Sequence, residues 1–104
     1  MRKPIVAGNW KMNKSVAEAS ELAAGIKLDL AECVGVDVVL CPPFVSLKTV
    51  SDVISGTHLK LGAQNMHFEE KGAVTGEISA SMLKDAGCEF VILGHSERRK
   101  YFKE

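Results

Sequence analysis

Four short apolar runs, each separated from the next by a stretch long enough for a helix, constrain this chain more than any other feature. They are Ile5-Val6-Ala7, then residues 36–41, 59–64 and 90–93. Runs of this length, rich in β-branched residues and bounded by Gly, Pro or Asn, read as strands. The first of the intervening stretches opens on Ser15-Val16-Ala17-Glu18, a capping box in which the Ser side chain satisfies one free amide and the Glu another. Beyond it Ala19, Leu22, Ala23, Ile26 and Leu30 recur at three- and four-residue steps, and Gly35 lies near the expected stop. Pro42-Pro43 ends the second strand, and Val45, Val50, Val53 and Ile54 fit a helix over about residues 46–55. Ser79 can cap a third, short helix that holds Met82 and Leu83 and stops at Gly87. The order is βαβαβαβ. Repeated βα units demand right-handed crossovers and a parallel sheet.

Two architectures satisfy that order, an open doubly wound sheet and part of a closed (β/α) barrel. A nucleotide-binding open sheet usually carries G-x-G-x-x-G or a P-loop after its first strand, and Gly8-Asn9-Trp10-Lys11 is neither. Residues 1–104 contain no low-complexity linker and read as one domain. Thirteen basic and thirteen acidic side chains cancel, so nothing in the charge balance calls for nucleic acid or a membrane surface. The first residues lack the apolar core of a signal peptide, and no run reaches membrane-spanning length. Cys33, Cys41 and Cys88 form no C-x-x-C pair and read as free thiols, Cys41 and Cys88 buried ones, which suits a reducing cytoplasm. Residues 65–76 form a polar stretch longer than most connections, a length typical of functional or interaction loops.

Chemistry concentrates after the fourth run, in Phe90-Val91-Ile92-Leu93-Gly94-His95-Ser96-Glu97-Arg98-Arg99. Four apolar residues suggest a strand buried on both faces; Gly94 turns the backbone, and Ser96 with Glu97 can start a helix. His95 therefore falls just past the carboxyl end of a parallel strand, where α/β proteins place reactive groups. The same residues also suit plainer roles: His95 a surface histidine, Ser96 a cap, Glu97 a first-turn acid and Lys11 a solvated loop lysine.

Four segments together resemble the N-terminal part of the triosephosphate isomerase family. They are Ala7-Gly8-Asn9-Trp10-Lys11-Met12-Asn13, Cys41-Pro42-Pro43-Phe44, Gly62-Ala63-Gln64-Asn65 with Gly76-Glu77-Ile78-Ser79, and Gly94-His95-Ser96-Glu97-Arg98-Arg99. The resemblance implies strands one to four and helices one to three of an eight-stranded (β/α) TIM barrel, a half-barrel ending at the entry to helix four. It implies interconversion of dihydroxyacetone phosphate and glyceraldehyde 3-phosphate through an enediolate, without cofactor or metal. His95 matches the electrophile that stabilises the developing oxyanion, and Lys11 the lysine that attracts the phosphate dianion. Asn9 matches the residue that orients substrate and lysine. Glu97 matches a partner of Lys11, and Ser96 a residue that holds the catalytic carboxylate.

The resemblance further implies a homodimer, with residues 65–77 projecting into a second copy. Thr75 would then approach the partner's site, Met12 would lie at the rim of the docked loop, and Glu77 and Arg98 would be candidates for an ion pair there. A complete barrel takes about 250 residues. The family's general base, a glutamate after strand six, falls beyond this sequence, as do the mobile lid and the phosphate-binding amides after strands seven and eight. Two readings follow: the N-terminal portion of an isomerase completed by the missing half of the barrel, or a non-catalytic half-barrel that serves only in folding and assembly.

Overall fold

The computed structural model describes residues 2–104. Strand β1 (Ile5–Asn9) runs two residues further than its apolar core and carries the chain to Asn9 before the backbone turns. Helix α1 (Val16–Asp29) starts on the capping box: the Ser15 hydroxyl accepts from the Glu18 amide at 3.2 Å, and the Glu18 carboxylate accepts from the Ser15 amide at 2.9 Å. Its Ala19 and Ala23 are fully buried, and Leu22, Ile26 and Leu30 half-buried, so the three- and four-residue spacing marks the inward face. The helix ends before Leu30, and Gly35 turns the loop that follows at φ +83°.

Strand β2 (Asp37–Cys41) is the best-covered strand, with Val38 to Cys41 all buried. Pro43 then leads into a single 3-10 turn, Phe44–Ser46, ahead of helix α2 (Leu47–Ile54). Val45 sits in that turn and stays exposed, whereas Val50 and Ile54 enter the core. Strand β3 (Lys60–Ala63), the long loop, helix α3 (Ala80–Asp85) and strand β4 (Phe90–Val91) complete the alternation. The Ser79 hydroxyl accepts from the Met82 amide at 3.3 Å, capping α3. Gly87 closes the helix at φ +104°, where an added Cβ would fall 2.2 Å from the Ser51 hydroxyl oxygen. Helix α4 (Ser96–Phe102), one more than the three helices expected, follows β4.

The sheet is parallel throughout, in the order β1-β2-β3-β4. Residues paired across a parallel sheet share a face. On one face Val38, Leu40, Leu61 and Ala63 pack with Ala19, Ala23, Leu47, Val50, Ile54 and Leu83 from the helices. On the other, Gly62 sits beside its β4 partner Phe90, and a Cβ there would meet the Cys41 Sγ at 2.7 Å and the Val39 Cγ1 at 3.0 Å. Gly62 thus leaves room for the Val39 and Cys41 side chains of β2 to close over it.

One strand departs from its expectation. Residues 90–93 are not buried on both faces: Phe90 and Val91 are half-buried, and Leu93 is 57% exposed. Among the described residues β4 pairs only with β3, so one edge of the strand has no neighbour. Its last ladder bond, from the Ile92 amide to the Ala63 carbonyl at 2.8 Å, points back into the sheet. The other edge is β1, where Ile5 and Val6 are 57% and 60% exposed. Cys41 and Cys88 are buried and Cys33 half-buried, all three free. Burial pushes the Cys88 thiol up to about 11. Among the described residues no helix is long and apolar enough to cross a membrane.

Candidate active site

The carboxyl ends of β1, β2 and β3 meet at one atom. The Cys41 carbonyl accepts from the Trp10 amide at 3.1 Å and from the Gln64 side-chain amide at 2.8 Å. The same Gln64 nitrogen donates to the Lys11 carbonyl at 2.9 Å. On its other side the Lys11 amide donates to the Asn9 Oδ1 at 2.9 Å. Lys11 is held in this way at φ +56°, the left-handed region that a residue with a Cβ seldom enters. The strain is met by bonds on both peptide groups, and it aims the side chain across the mouth of the sheet.

There the Lys11 Nζ pairs with the Glu97 Oε2 at 3.0 Å. Glu97 stands in the first turn of α4, 86 residues away in sequence. The hydrogen bond from Lys11, followed by the ammonium charge, holds the Glu97 carboxyl below the usual carboxylate range. His95 is the N-cap of α4, its Nδ1 accepting from the Glu97 backbone amide at 3.1 Å. Ser96 is therefore the first helical residue and not the cap, because the imidazole, one residue earlier, reaches the free amide first. The Glu97 carboxylate also lies 3.4 Å from the same Nδ1. The amide has a hydrogen to give and the carboxylate, spent on Lys11, does not. With Nδ1 an acceptor, the ring's proton sits on Nε2.

Asn9, Lys11, Phe44, His95, Glu97 and Tyr101 line one cavity of about 310 Å³. Six of the residues singled out in the sequence thus come together: Asn9, Lys11, Met12, His95, Glu97 and Arg98. Ser96 is exposed beside them. Met12 is 94% exposed at the cavity's rim, turned outward by the left-handed step at Lys11. Thr75 is exposed on the long loop. Within the chain Glu77 and Arg98 do not pair. The Glu77 carboxylate lies 3.7 Å from the His67 Nδ1, while Arg98 pairs with Glu104 and places its guanidinium 4.8 Å over the Phe102 ring.

The family model described as triosephosphate isomerase matches residues 4–104. The chain belongs to the triosephosphate isomerase family. It is 64% identical over 104 residues to the triosephosphate isomerase of Alkaliphilus oremlandii (strain OhILAs), covering all of this chain and 42% of that relative. It is 54% identical to that of Carboxydothermus hydrogenoformans (strain ATCC BAA-161 / DSM 6008 / Z-2901), covering 41% of it. The crystal structure of triosephosphate isomerase from Bartonella henselae superposes with a TM-score of 0.89 at 42% identity, over 99% of this chain and 42% of that one. The fold is the N-terminal portion of the triosephosphate isomerase barrel, as the motifs implied. The chain spans about two-fifths of the length of these relatives.

Gln64 is the residue that sequence reasoning passed over. It belongs to the Gly62-Ala63-Gln64-Asn65 segment, yet nothing local reveals that its amide bridges two carbonyls, one at the end of β2 and one on the loop after β1. Gln64→Leu, made in the assembled isomerase, is expected to cost about 1–3 kcal/mol, because the Lys11 and Cys41 carbonyls lose a shared donor. A urea midpoint unchanged from the parent would show that the bridge contributes nothing.

Acid should undo the site from Glu97. A carboxyl whose folded-state pKa is depressed stabilises the fold above its unfolded value and loses that contribution as pH falls through the folded value. Glu18, held down first by the Ser15 backbone amide and then by its hydroxyl, obeys the same sign. Below the usual carboxylate range, Lys11 is expected to leave Glu97 and the α1 cap to loosen. Carbon-13 shifts of the two carboxyl carbons against pH measure this; titration in the ordinary glutamate range would contradict it.

Proposed function

We propose that this chain supplies the lysine–histidine half of a triosephosphate isomerase active site, acting on dihydroxyacetone phosphate and glyceraldehyde 3-phosphate once the rest of the barrel is in place. The observation that carries the reading is the convergence of Lys11, His95 and Glu97 on one cavity, with the lysine backbone strained to reach it. A carboxylate base from the missing half would take the carbon-bound proton, and negative charge would develop on the neighbouring oxygen. His95, its proton on Nε2, donates a hydrogen bond to that oxygen. Lys11 draws in the phosphate dianion and shares the charge of the enediolate; Asn9, already bonded to the Lys11 amide, fixes the direction of approach. Glu97 keeps the ammonium in place until substrate competes for it. Ser96 is assigned to the base carboxylate in the resting enzyme.

The same reading gives the chain a place in glycolysis and gluconeogenesis, in a reducing cytoplasm, and two protein partners. One is the missing C-terminal half of the barrel. The other is a second copy of the enzyme, met through Met12, Thr75, Glu77 and Arg98. The test is to combine the chain with the C-terminal portion of a close relative and assay isomerisation in both directions. Turnover that requires both pieces is the expected result. An assembled barrel that binds a triose phosphate but never turns it over would overturn the catalytic reading and favour an assembly role.

A further inference from the structure

Two residues of the turn between β1 and α1, and not one, occupy the left-handed region: Lys11 at φ +56° and Lys14 at φ +78°. Neither is glycine, so the surroundings must hold each in place. The bonds to Asn9 and Gln64 hold the Lys11 amide and carbonyl and leave the Trp10 carbonyl, in the same peptide unit as that amide, to be placed. The turn's other half is closed by a bond so far unassigned, in which the Asn13 side-chain Nδ2 donates to the Trp10 carbonyl at 2.8 Å. Asn13 is exposed and contributes nothing to the core, and it does not line the cavity. What it fixes is the path of the backbone from Trp10, anchored to β2, to Ser15, anchored in the α1 cap.

We infer that Asn13 is a positioning residue for Lys11. Its amide pulls the Trp10 carbonyl back over the turn and sets the direction in which the next residue leaves the strand. That residue is Lys11, whose ammonium must cross to Glu97. With the amide gone, the Trp10 carbonyl turns to water, the left-handed step relaxes, and the ammonium swings away from the cavity mouth. The role needs a donor at that point, and bulk alone does not serve. An Asp there has the same shape and presents an oxygen to the carbonyl oxygen. A His presents its Nδ1–H near the place of the Asn Nδ2, and restores the bond.

The inference rests on the isomerase reading only for its kinetic consequence, so two readouts are taken. The first needs no activity: acylation of lysine amines in the 104-residue chain, mapped by mass spectrometry, with exposed Lys27 as reference. An ammonium held on a carboxylate reacts slowly, so Lys11 is expected to lag Lys27 in the parent and in Asn13→His, and to lose that lag in Asn13→Asp. The second is kcat/KM of the assembled enzyme, expected to fall about tenfold in Asn13→Asp, the effect of losing one hydrogen bond at the site, and to recover in Asn13→His. Equal protection of Lys11 in the parent and in Asn13→Asp overturns the inference. An inactive assembled parent that still shows the expected acylation pattern overturns the isomerase reading and leaves the role of Asn13 standing.

Discussion

Alone, the 104-residue chain is expected to show no measurable isomerase activity and not to sediment as an 11.2 kDa monomer. The activity argument is local. Among the described residues the only carboxylate lining the cavity is Glu97, and it is committed to Lys11. No carboxylate base is left to take a proton from carbon. The association argument concerns the sheet. Both outer strands, β1 and β4, present unpaired amides and carbonyls along apolar sequence, a template for further pairing. The face that carries Phe90 and Gly62 is the one a closed barrel would fill, and water favours covering it. Sedimentation with and without a complementary C-terminal portion, each with an activity assay, decides the matter. A monodisperse, active monomer would refute the expectation.

In the assembled enzyme, His95→Gln and Lys11→Met should fail in different ways. On the proposed reading, the charge that His95 meets is present mainly in the transition state, so kcat is expected to fall by about 10²–10³ while binding of a phosphate-bearing inhibitor changes little. On the same reading Lys11 attracts a dianion that ground state and transition state share. Lys11→Met should therefore weaken inhibitor binding and turnover together, by roughly 1.5–3 kcal/mol in binding. Equal losses in kcat and inhibitor affinity for His95→Gln would make the imidazole a positioning group. Unchanged kinetics for Lys11→Met would return that residue to the ordinary surface.

What the sequence disclosed was what neighbours in sequence decide. The Ser15–Glu18 capping box and the Ala19 and Ala23 face are four-residue patterns, and each formed as read. The apolar content of residues 90–93 was legible too, but burial depends on which strands lie alongside, and that is not a property of the run itself. Helix α2 formed over Leu47–Ile54, within the residues that periodicity assigned to it, and only Val45 and Ser46 went instead to the 3-10 turn. At the site, Asn9, Lys11, His95 and Glu97 were found because motifs mark them. The left-handed backbone of Lys11 was not, since lysine gives no sign of such a conformation as glycine does. Gln64 was missed for a related reason: its two acceptors come from elsewhere in the chain.

The Lys11 tether also sets an order of events during biosynthesis. The amide that holds the lysine's carbonyl arrives 53 residues after it, and the carboxylate that holds its ammonium 86 residues after it. A nascent chain can cap α1 as soon as Glu18 has emerged, but the lysine stays slack until β3 has docked and β4 has turned into α4. The Lys11–Glu97 geometry is therefore the last thing this portion of the chain acquires. Under heat or denaturant it should be the first thing given up, ahead of the helices and well before the β1–β2 pair comes apart.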